Sequence, residues 1–240
     1  MNLIIDVGNT RVKAAVFKED TLVELFDFDK KNILSEVKKI LKKHTIFNGI
    51  MSSVASITDK KIEKLQSLLP ILTLSSATKV NFKNLYATPK TLGVDRIALV
   101  SSAVKKYPQK NVLIIDAGTC ITFDFVSDKK EYFGGAISPG IEMRYKALST
   151  FTSKLPLLDK KLPRDFLGTN TEESINSGVV NGVLQEIEGV INQYKSKYGL
   201  LTIVLTGGDA NFLSKQLKSS IFANQNFLLE GLNEILIFNK

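Results

Sequence analysis

The sequence predicts an α/β fold made of two duplicated halves, and three observations support this prediction. An apolar run that ends in Asp, one further residue and Gly occurs at Leu3–Gly8 and again at Leu113–Gly118. Each run starts a similar series of strand-like and helix-like segments. No linker rich in Pro, Gly or Ser separates the two series, so the boundary near 109–111 is inferred from the repeat alone. We therefore expect domains at 1–110 and 111–240, each a mixed β-sheet flanked by helices, with a cleft between them.

The first half alternates between the two kinds of periodicity. Runs that are typical of strands occupy 3–7, 11–17, 22–28, 49–54 and 71–74. Asn32 is a candidate cap for one helix, and Thr58 or Asp59 opens a second helix that Pro70 stops. The expected order is therefore β-β-β-α-β-α-β.

A less regular stretch, 79–92, leads to the final helix of the first half. Apolar residues from Val94 to Val104 share one helical face, and Lys105 and Lys106 end the helix. Asp95 lies in the first helical turn, where a carboxylate is favoured by the helix dipole.

The second half repeats the strand, glycine turn and strand of the first half. Strand-like runs begin at Val112 and cover 121–126, 131–133 and 201–205. We interpret 134–140 as a loop that leads to a helix ending near Leu148, and 150–165 as irregular.

A long helix pattern follows residues 168–173. Either Thr169 with Glu172 or Asn170 with Glu173 has the spacing of a capping box. The helix contains Gly178, Gly182 and Gly189, and close approach of another helix or a ligand would explain these glycines. A glycine turn over 206–210 and two short helical segments complete the chain.

Composition excludes several classes of protein. The chain has 240 residues, 44% of them hydrophobic, and no apolar run long enough for a membrane span. No segment of the signal-peptide type is expected at Met1. One cysteine, Cys120, excludes an internal disulfide and fits a reducing, cytoplasmic compartment. With one histidine, His44, the chain lacks the ligands of a tetrahedral zinc site.

The formal net charge of +8 is compatible with nucleic acid, a membrane surface or a small anionic substrate. The lysines are dispersed over helical stretches, which is typical of a solvated surface. Arginine suits phosphate and carboxylate better, and Arg11 and Arg96 lie in or beside the motif segments. This distribution favours a small anionic substrate.

The repeated turn has a chemistry of its own. Glycine lets backbone N–H groups approach phosphate oxygens, and Asp6 or Asp116 at a strand end can hold a cation near them. A single Asp-x-Gly turn is also ordinary hairpin chemistry. Its repetition after two apolar runs favours nucleotide binding.

Six segments in order resemble the type III pantothenate kinase family, within the actin-like ATPase (ribonuclease H-like) superfamily. They are Asp6–Thr10, Leu92–Arg96, Asp116–Thr119, Gly134–Gly140, Gly168–Thr171 and Thr206–Asp209. The resemblance implies two duplicated ribonuclease H-like domains and ATP-dependent phosphorylation of pantothenate. It also implies Mg²⁺ with the ATP, a required monovalent cation (K⁺ or NH₄⁺), a homodimer, and neither nucleic acid nor membrane as a partner.

The resemblance also implies roles for individual residues. Asp95 would be the proton acceptor and Asp116 the ligand of the monovalent cation. Residues that would contact ATP are Asp6, Val7, Gly8, Asn9, Thr10, Arg11, Val12, Lys13 and Thr119. Residues that would contact pantothenate are Tyr86, Gly93, Val94, Asp95, Arg96 and Thr171.

Alternatives remain for several of these positions. Asp95 could serve only the helix dipole, Arg96 could form a surface salt bridge, and Lys13 could point outward from its strand. Gly207 and Gly208 could border the adenosine or form a plain strand-to-helix turn. Alternative functions are another small-molecule kinase, a nucleic-acid-binding or transcription-accessory protein, and an inactive relative.

Overall fold

The structure is a computed structural model that describes residues 1–8, 11–53 and 58–240. Predictions for Asn9, Thr10 and Val54 lie outside the described residues. Packing divides the chain into two compact units. Unit 1 comprises Met1–Pro108, Lys130–Tyr132 and Asn226–Lys240, and unit 2 comprises Gln109–Lys129 and Phe133–Gln225.

Unit 1 is built on a mixed sheet with the strand order β3-β2-β1-β4-β5. Its strands are β1 (Asn2–Val7), β2 (Arg11–Lys18), β3 (Thr21–Asp29), β4 (Asn48–Ser53) and β5 (Ile71–Thr73). β1 is antiparallel to β2 and parallel to β4. This pairing places the carboxyl ends of β1 and β4 at the same edge of the sheet.

Helices α1 (Ile33–Lys43) and α2 (Asp59–Gln66) connect the strands of this sheet. Asn32 occupies the N-cap position of α1, but its side chain makes no capping hydrogen bond. One face of α1 buries Ile33, Val37 and Ile40 against the apolar residues of β1 and β2. Each such side chain contributes about 1.5–3 kcal/mol of hydrophobic free energy.

The last helix of the first half, α3 (Val94–Lys106), has the predicted bounds. Before it lie a two-residue strand, β6 (Lys83–Asn84), and a 3₁₀ turn at Pro89–Thr91. α3 packs against the C-terminal helix, Phe227–Phe238. A Cβ on Gly231 would overlap the carbonyl oxygen of Ala98, so the two helix backbones lie unusually close.

Unit 2 contains a second mixed sheet, with the strand order β11-β10-β7-β8-β9. Its strands are β7 (Val112–Ala117), β8 (Cys120–Val126), β9 (Glu131–Pro139), β10 (Thr202–Thr206) and β11 (Phe222–Ala223). β7 repeats the arrangement of β1, with an antiparallel neighbour on one side and a parallel neighbour on the other. The first two residues of β9, Glu131 and Tyr132, belong to unit 1, where they pair with β6.

The helices of unit 2 follow β9 and β10. They are α4 (Ile141–Thr150), α5 (Thr171–Asn176), α6 (Gly182–Tyr198) and α7 (Ala210–Ser214). Asn170 caps α5 by accepting a hydrogen bond from the Glu173 backbone N–H at 3.0 Å. The second of the two predicted capping pairs therefore forms this bond, while the Glu173 carboxylate accepts the N–H of Thr169 at 2.9 Å and not that of Asn170.

A π-helical turn, Ser177–Asn181, joins α5 to α6 without a break. Apolar residues spaced four apart along this helix are buried in the core of unit 2. They are Ile175, Val179, Val183, Ile187 and Ile191. A Cβ on Gly178, Gly182 or Gly189 would meet no atom of the described residues within 4 Å, so this chain does not supply the predicted close approach.

Two further sequence predictions differ from the structure. Residues 134–139 are the second part of β9 rather than a loop. Gly135 lies so close to the Phe123 carbonyl that a side chain would not fit. The glycine therefore serves close strand packing and not the turn that a pair of glycines predicts. The final helix has 12 residues and a largely buried surface, so it is not a short terminal segment.

Candidate active site

Asp6 is the second-last residue of β1, which lies between β2 and β4 in the sheet. Its register partners are Lys13 on β2 and Ser52 on β4. The Ser52 hydroxyl donates to Asp6 Oδ1 at 2.7 Å. Burial raises the pKa of Asp6 from its ordinary 3.8 to about 6; the bond from Ser52 and the charge of Lys13 lower it, and the charge of Asp95 raises it. Two predicted site residues, Asp6 and Asp95, therefore lie within electrostatic reach of each other.

Asp95 occupies the first turn of α3, and the local backbone fixes its side chain. The Arg96 backbone N–H donates to Asp95 Oδ1 at 2.8 Å. Gly93 is the N-cap residue of α3, and a Cβ there would overlap the same Oδ1 atom. The carboxylate thus folds back over Gly93, and the missing side chain at Gly93 makes room for it.

Arg96 is not a surface residue, because only 5% of it is exposed. Its guanidinium carbon lies 5.5 Å from the ring centroid of Tyr86, in cation–π geometry. Tyr86 stacks on the fully buried Tyr132, with centroids 6.2 Å apart and an angle of 21° between the ring planes. The structure thereby brings together Tyr86 and Arg96, which the sequence predicted as contacts of one substrate.

The remaining residues of the first glycine turn have different environments. Val7 and Val12 have no exposed surface and pack in the core of unit 1. The Gly8 N–H donates to the Arg11 carbonyl at 3.0 Å, and a Cβ on Gly8 would lie 3.1 Å from that oxygen. The Arg11 side chain is exposed and forms ion pairs with Asp27 and Asp29 on β3.

In unit 2, Asp116 lies near the end of β7 and beside the turn that follows β10. A Cβ on Gly207 would overlap both Asp116 Oδ1 and the carbonyl oxygen of Ala117, and Gly207 has a φ of +93°. The Asp209 N–H donates to the same Ala117 carbonyl at 2.9 Å. A carboxylate oxygen of Asp116 and the carbonyl oxygen of Ala117 therefore lie close together at this turn.

The second glycine turn contacts the loop before α4. The Gly140 N–H donates to the Thr119 carbonyl at 3.1 Å, and a Cβ on Gly140 would overlap the Gly118 carbonyl. Gly118 donates its N–H to the Cys120 carbonyl at 2.9 Å. Thr119 therefore lies in a turn between β7 and β8 whose backbone forms hydrogen bonds within the turn and with Gly140.

Thr171 lies in unit 2, at the rim of an open groove of about 860 Å³ between α4 and the α5–α6 helix. Apolar residues line most of this groove: Ala147, Leu148, Phe151, Leu155, Ile175 and Val179. Phe151 is 85% exposed.

We found no group of three or more His, Cys, Asp or Glu side chains suited to a metal ion in the part of the chain that the structure describes. The donors at Asp116 and Ala117 nevertheless fit a monovalent cation, because alkali cations prefer carboxylate and carbonyl oxygens. Within the same described residues, no helix is long and apolar enough to cross a membrane.

Sequence reasoning missed two residues that contact candidate site residues and a third that contacts the motif residue Asp209. Ser52 and Tyr132 became visible only through pairing between distant strands, although the alignment of two parallel strand ends could have suggested Ser52. Lys160 lies in the irregular segment and forms an ion pair with the buried Asp209. No sequence pattern pointed to that pair.

Known structures share this fold. A protein from Campylobacter jejuni described as a conserved Baf family transcriptional activator matches with a TM-score of 0.66 and 22% identity, over 99% of this chain and 98% of that one. A protein from Listeria monocytogenes described as an N-acetylmannosamine kinase matches with a TM-score of 0.55 and 12% identity, over 100% of this chain and 99% of that one. At such identities the matches show the fold alone, and they confirm the predicted α/β fold with two mixed sheets flanked by helices.

Sequence comparison is more specific. The profile of the type III pantothenate kinase family matches residues 2–193. A type III pantothenate kinase from Christiangramia forsetii is 52% identical over 241 aligned residues, which cover 100% of this chain and 99% of the relative. The chain therefore belongs to the type III pantothenate kinase family, as its motifs predicted.

Proposed function

We propose that Asp95 accepts the proton of the attacking hydroxyl when the protein phosphorylates pantothenate with ATP, the first step of coenzyme A biosynthesis. The hydroxyl oxygen forms a bond to the γ-phosphorus, the bond from that phosphorus to the bridging oxygen of ADP breaks, and the proton passes to Asp95. Such a transfer depends on positioning and charge neutralisation more than on a strong base. The product is 4′-phosphopantothenate.

The observation that carries this assignment is the placement of Asp95. Its Oδ1 accepts the Arg96 N–H at 2.8 Å, and its charge acts on Asp6 at the end of β1. A carboxylate that served only the helix dipole would need no glycine beneath it and no carboxylate neighbour. The placement therefore favours a chemical role.

The ATP contacts follow the glycine turns. In unit 1 we assign them to the segment from Asp6 to Lys13, where the absence of a side chain at Gly8 leaves room for phosphate beside the turn. In unit 2 we assign a contact to Thr119. The exposed Arg11 already carries two acidic partners, which makes Lys13 the better phosphate ligand of the two.

Pantothenate carries a carboxylate, and Arg96 is the residue we assign to it. A buried guanidinium held over the Tyr86 ring has lost most of its rotational freedom, which lowers the entropic cost of binding an anion. Tyr86, Gly93 and Val94 would line the same pocket, and Thr171 would supply a further contact.

Family membership implies ATP together with a divalent metal ion. We propose Mg²⁺ for this ion and a monovalent cation, K⁺ or NH₄⁺, at Asp116. The convergence of Asp116 Oδ1 and the Ala117 carbonyl supports the second assignment. When bound, the monovalent cation would supply positive charge near the phosphates. The use of ATP and the single cysteine support a cytoplasmic location.

The test is a coupled assay of ADP release with pantothenate, with and without potassium. Asp95→Asn should lower kcat at least 100-fold while ATP still binds, because the proton acceptor is lost. Asp116→Asn should abolish the response to potassium. Turnover unchanged by Asp95→Asn, or an intact potassium response in Asp116→Asn, would remove the role assigned to that residue.

Gly93→Ala tests the same role through geometry. The added methyl group overlaps Asp95 Oδ1, a side-chain atom that can move, so the protein should fold while the carboxylate is displaced. We expect kcat to fall while the thermal midpoint changes little. A panel of other hydroxyl acceptors, assayed in parallel, decides between pantothenate and a different small molecule.

We further propose that the protein is a homodimer and that the groove beside Thr171 lies in the interface. The groove is apolar, and Phe151 on its wall is 85% exposed, which is unusual for so large a side chain. Phe151→Asp should give a monomer in sedimentation equilibrium. Phe47→Asp is the matched control, because Phe47 is 65% exposed but belongs to unit 1. A dimer that survives Phe151→Asp would refute this location.

A further inference from the structure

Ser52 is a polar neighbour of Asp6 on the adjacent strand. It lies on β4, opposite Asp6 in the parallel register of β1 and β4. Its side chain has no exposed surface, and its hydroxyl donates to Asp6 Oδ1 at 2.7 Å. This pair belongs to a continuous six-residue register from Asn2↔Asn48 to Val7↔Ser53, so the backbone brings the two residues side by side.

The hydrogen bond has a specific task at this position. Asp6 is largely buried, and the like charge of Asp95 acts on it. Repulsion between two carboxylates favours rotation of one of them away from the other. A hydroxyl that donates to Oδ1 holds the carboxylate plane of Asp6 against that rotation and satisfies one of its acceptors.

We propose that Ser52 is a positioning residue for phosphoryl transfer: it holds the Asp6 carboxylate in the orientation that the ATP phosphates and their divalent metal ion require. The inference rests on the proposed place of Asp6 in the ATP site. Because the Ser52 side chain is fully buried, it acts through Asp6 in this proposal and not by contact with a substrate. Groups that orient the residues of a metal or phosphate site commonly contribute about 10- to 100-fold to affinity or activity.

Ser101 provides a matched control in the same unit. It is also fully buried, and its hydroxyl donates to Asn81 Oδ1 at 2.8 Å. Ser52→Ala and Ser101→Ala therefore remove the same atom and one buried hydrogen bond each. Only the first hydrogen bond ends on a site carboxylate.

The experiment measures kcat and both KM values of the wild type and the two variants in the ADP-release assay. We expect Ser52→Ala to lower kcat at least 10-fold and to raise the divalent-metal concentration needed for half-maximal rate. The KM for pantothenate should stay within twofold. Ser101→Ala should keep kcat within twofold of the wild type, although both variants lose stability.

A mutant cycle with Asp6 separates positioning from a general loss of packing. If Ser52 acts through Asp6, Ser52→Ala should have no further effect on the residual kcat of Asp6→Asn. Ser52→Thr, which keeps the hydroxyl, should recover most of the activity lost in Ser52→Ala.

Three outcomes would overturn the inference. They are a kcat for Ser52→Ala within twofold of the wild type, an equal loss in Ser101→Ala, and multiplicative effects of the Asp6 and Ser52 substitutions. Each outcome leaves the pantothenate kinase activity of the wild type in place. A wild type without turnover of pantothenate would instead refute the proposed function.

Discussion

Asp6→Asn should make the unliganded protein more stable at neutral pH while it removes activity. Burial raises the pKa of Asp6 to about 6 in the folded protein, from an ordinary 3.8. The folded state therefore holds this proton more tightly than the unfolded chain does. Ionisation costs the folded state about 3 kcal/mol, since one pKa unit corresponds to about 1.4 kcal/mol.

The sign of the effect depends on pH. Below about pH 4 the carboxyl is protonated in both states, so it contributes no penalty. As the pH rises from about 4 to 6, the unfolded chain releases the proton first, and stability falls. Above about pH 6 the penalty is complete and constant. Asparagine cannot ionise and keeps an oxygen that can accept the Ser52 hydroxyl, so it escapes this penalty.

The assay is urea unfolding of wild type and Asp6→Asn at pH 4.5 and pH 8, in the absence of ATP and metal ions. We expect the variant to gain up to about 3 kcal/mol at pH 8 and much less at pH 4.5. Asp128→Asn, at an exposed turn residue, is the control and should show no such difference. A variant that is equally or less stable than the wild type at pH 8 would refute the reasoning.

Three glycine substitutions test the packing. Gly231→Ala should lower the free energy of unfolding by about 3 kcal/mol, because the methyl group overlaps the Ala98 carbonyl between two helices; circular dichroism in denaturant measures this. Gly207→Ala, at a φ of +93° and against the Ala117 carbonyl, should weaken potassium activation and lower the thermal midpoint; an unchanged midpoint would contradict the crowding. Gly189 lies within α6, and a Cβ there would have no atom within 4 Å. Gly189→Ala should therefore raise the free energy of unfolding by about 1 kcal/mol, and a lower free energy of unfolding would contradict this prediction.

Much of the fold was predictable because its signals are local. The apolar alternation of β1 and β2 and the helical face of Val94–Lys106 follow from periodicity within a single segment. The capping of α5 by Asn170 followed from spacing as well. Gly134 and Gly135 misled the interpretation because glycine in a strand and glycine in a turn look alike in a sequence.

The candidate site residues come from motifs, and their roles stay predictions. The segment Leu92–Arg96 indicated Asp95 and Arg96, and the structure shows how Gly93 and Tyr86 hold their side chains. Contacts between residues that are far apart in the chain leave no comparable trace in one sequence. Ser52 with Asp6, Tyr132 with Tyr86 and Lys160 with Asp209 are of this kind.

The π turn at Ser177–Asn181 has a consequence for how the long helix of unit 2 can change. Its apolar residues recur every four positions from 175 to 191, whereas an ideal α-helix needs about 3.6 residues per turn. Such a stripe drifts around a regular helix, and the wider π turn rotates it back towards the core. Removal of one residue between Val179 and Ile187 would shorten their spacing from eight positions to seven, and residues seven positions apart lie on the same face of a regular α-helix. The buried stripe is therefore compatible with a regularly wound helix that is one residue shorter at this turn.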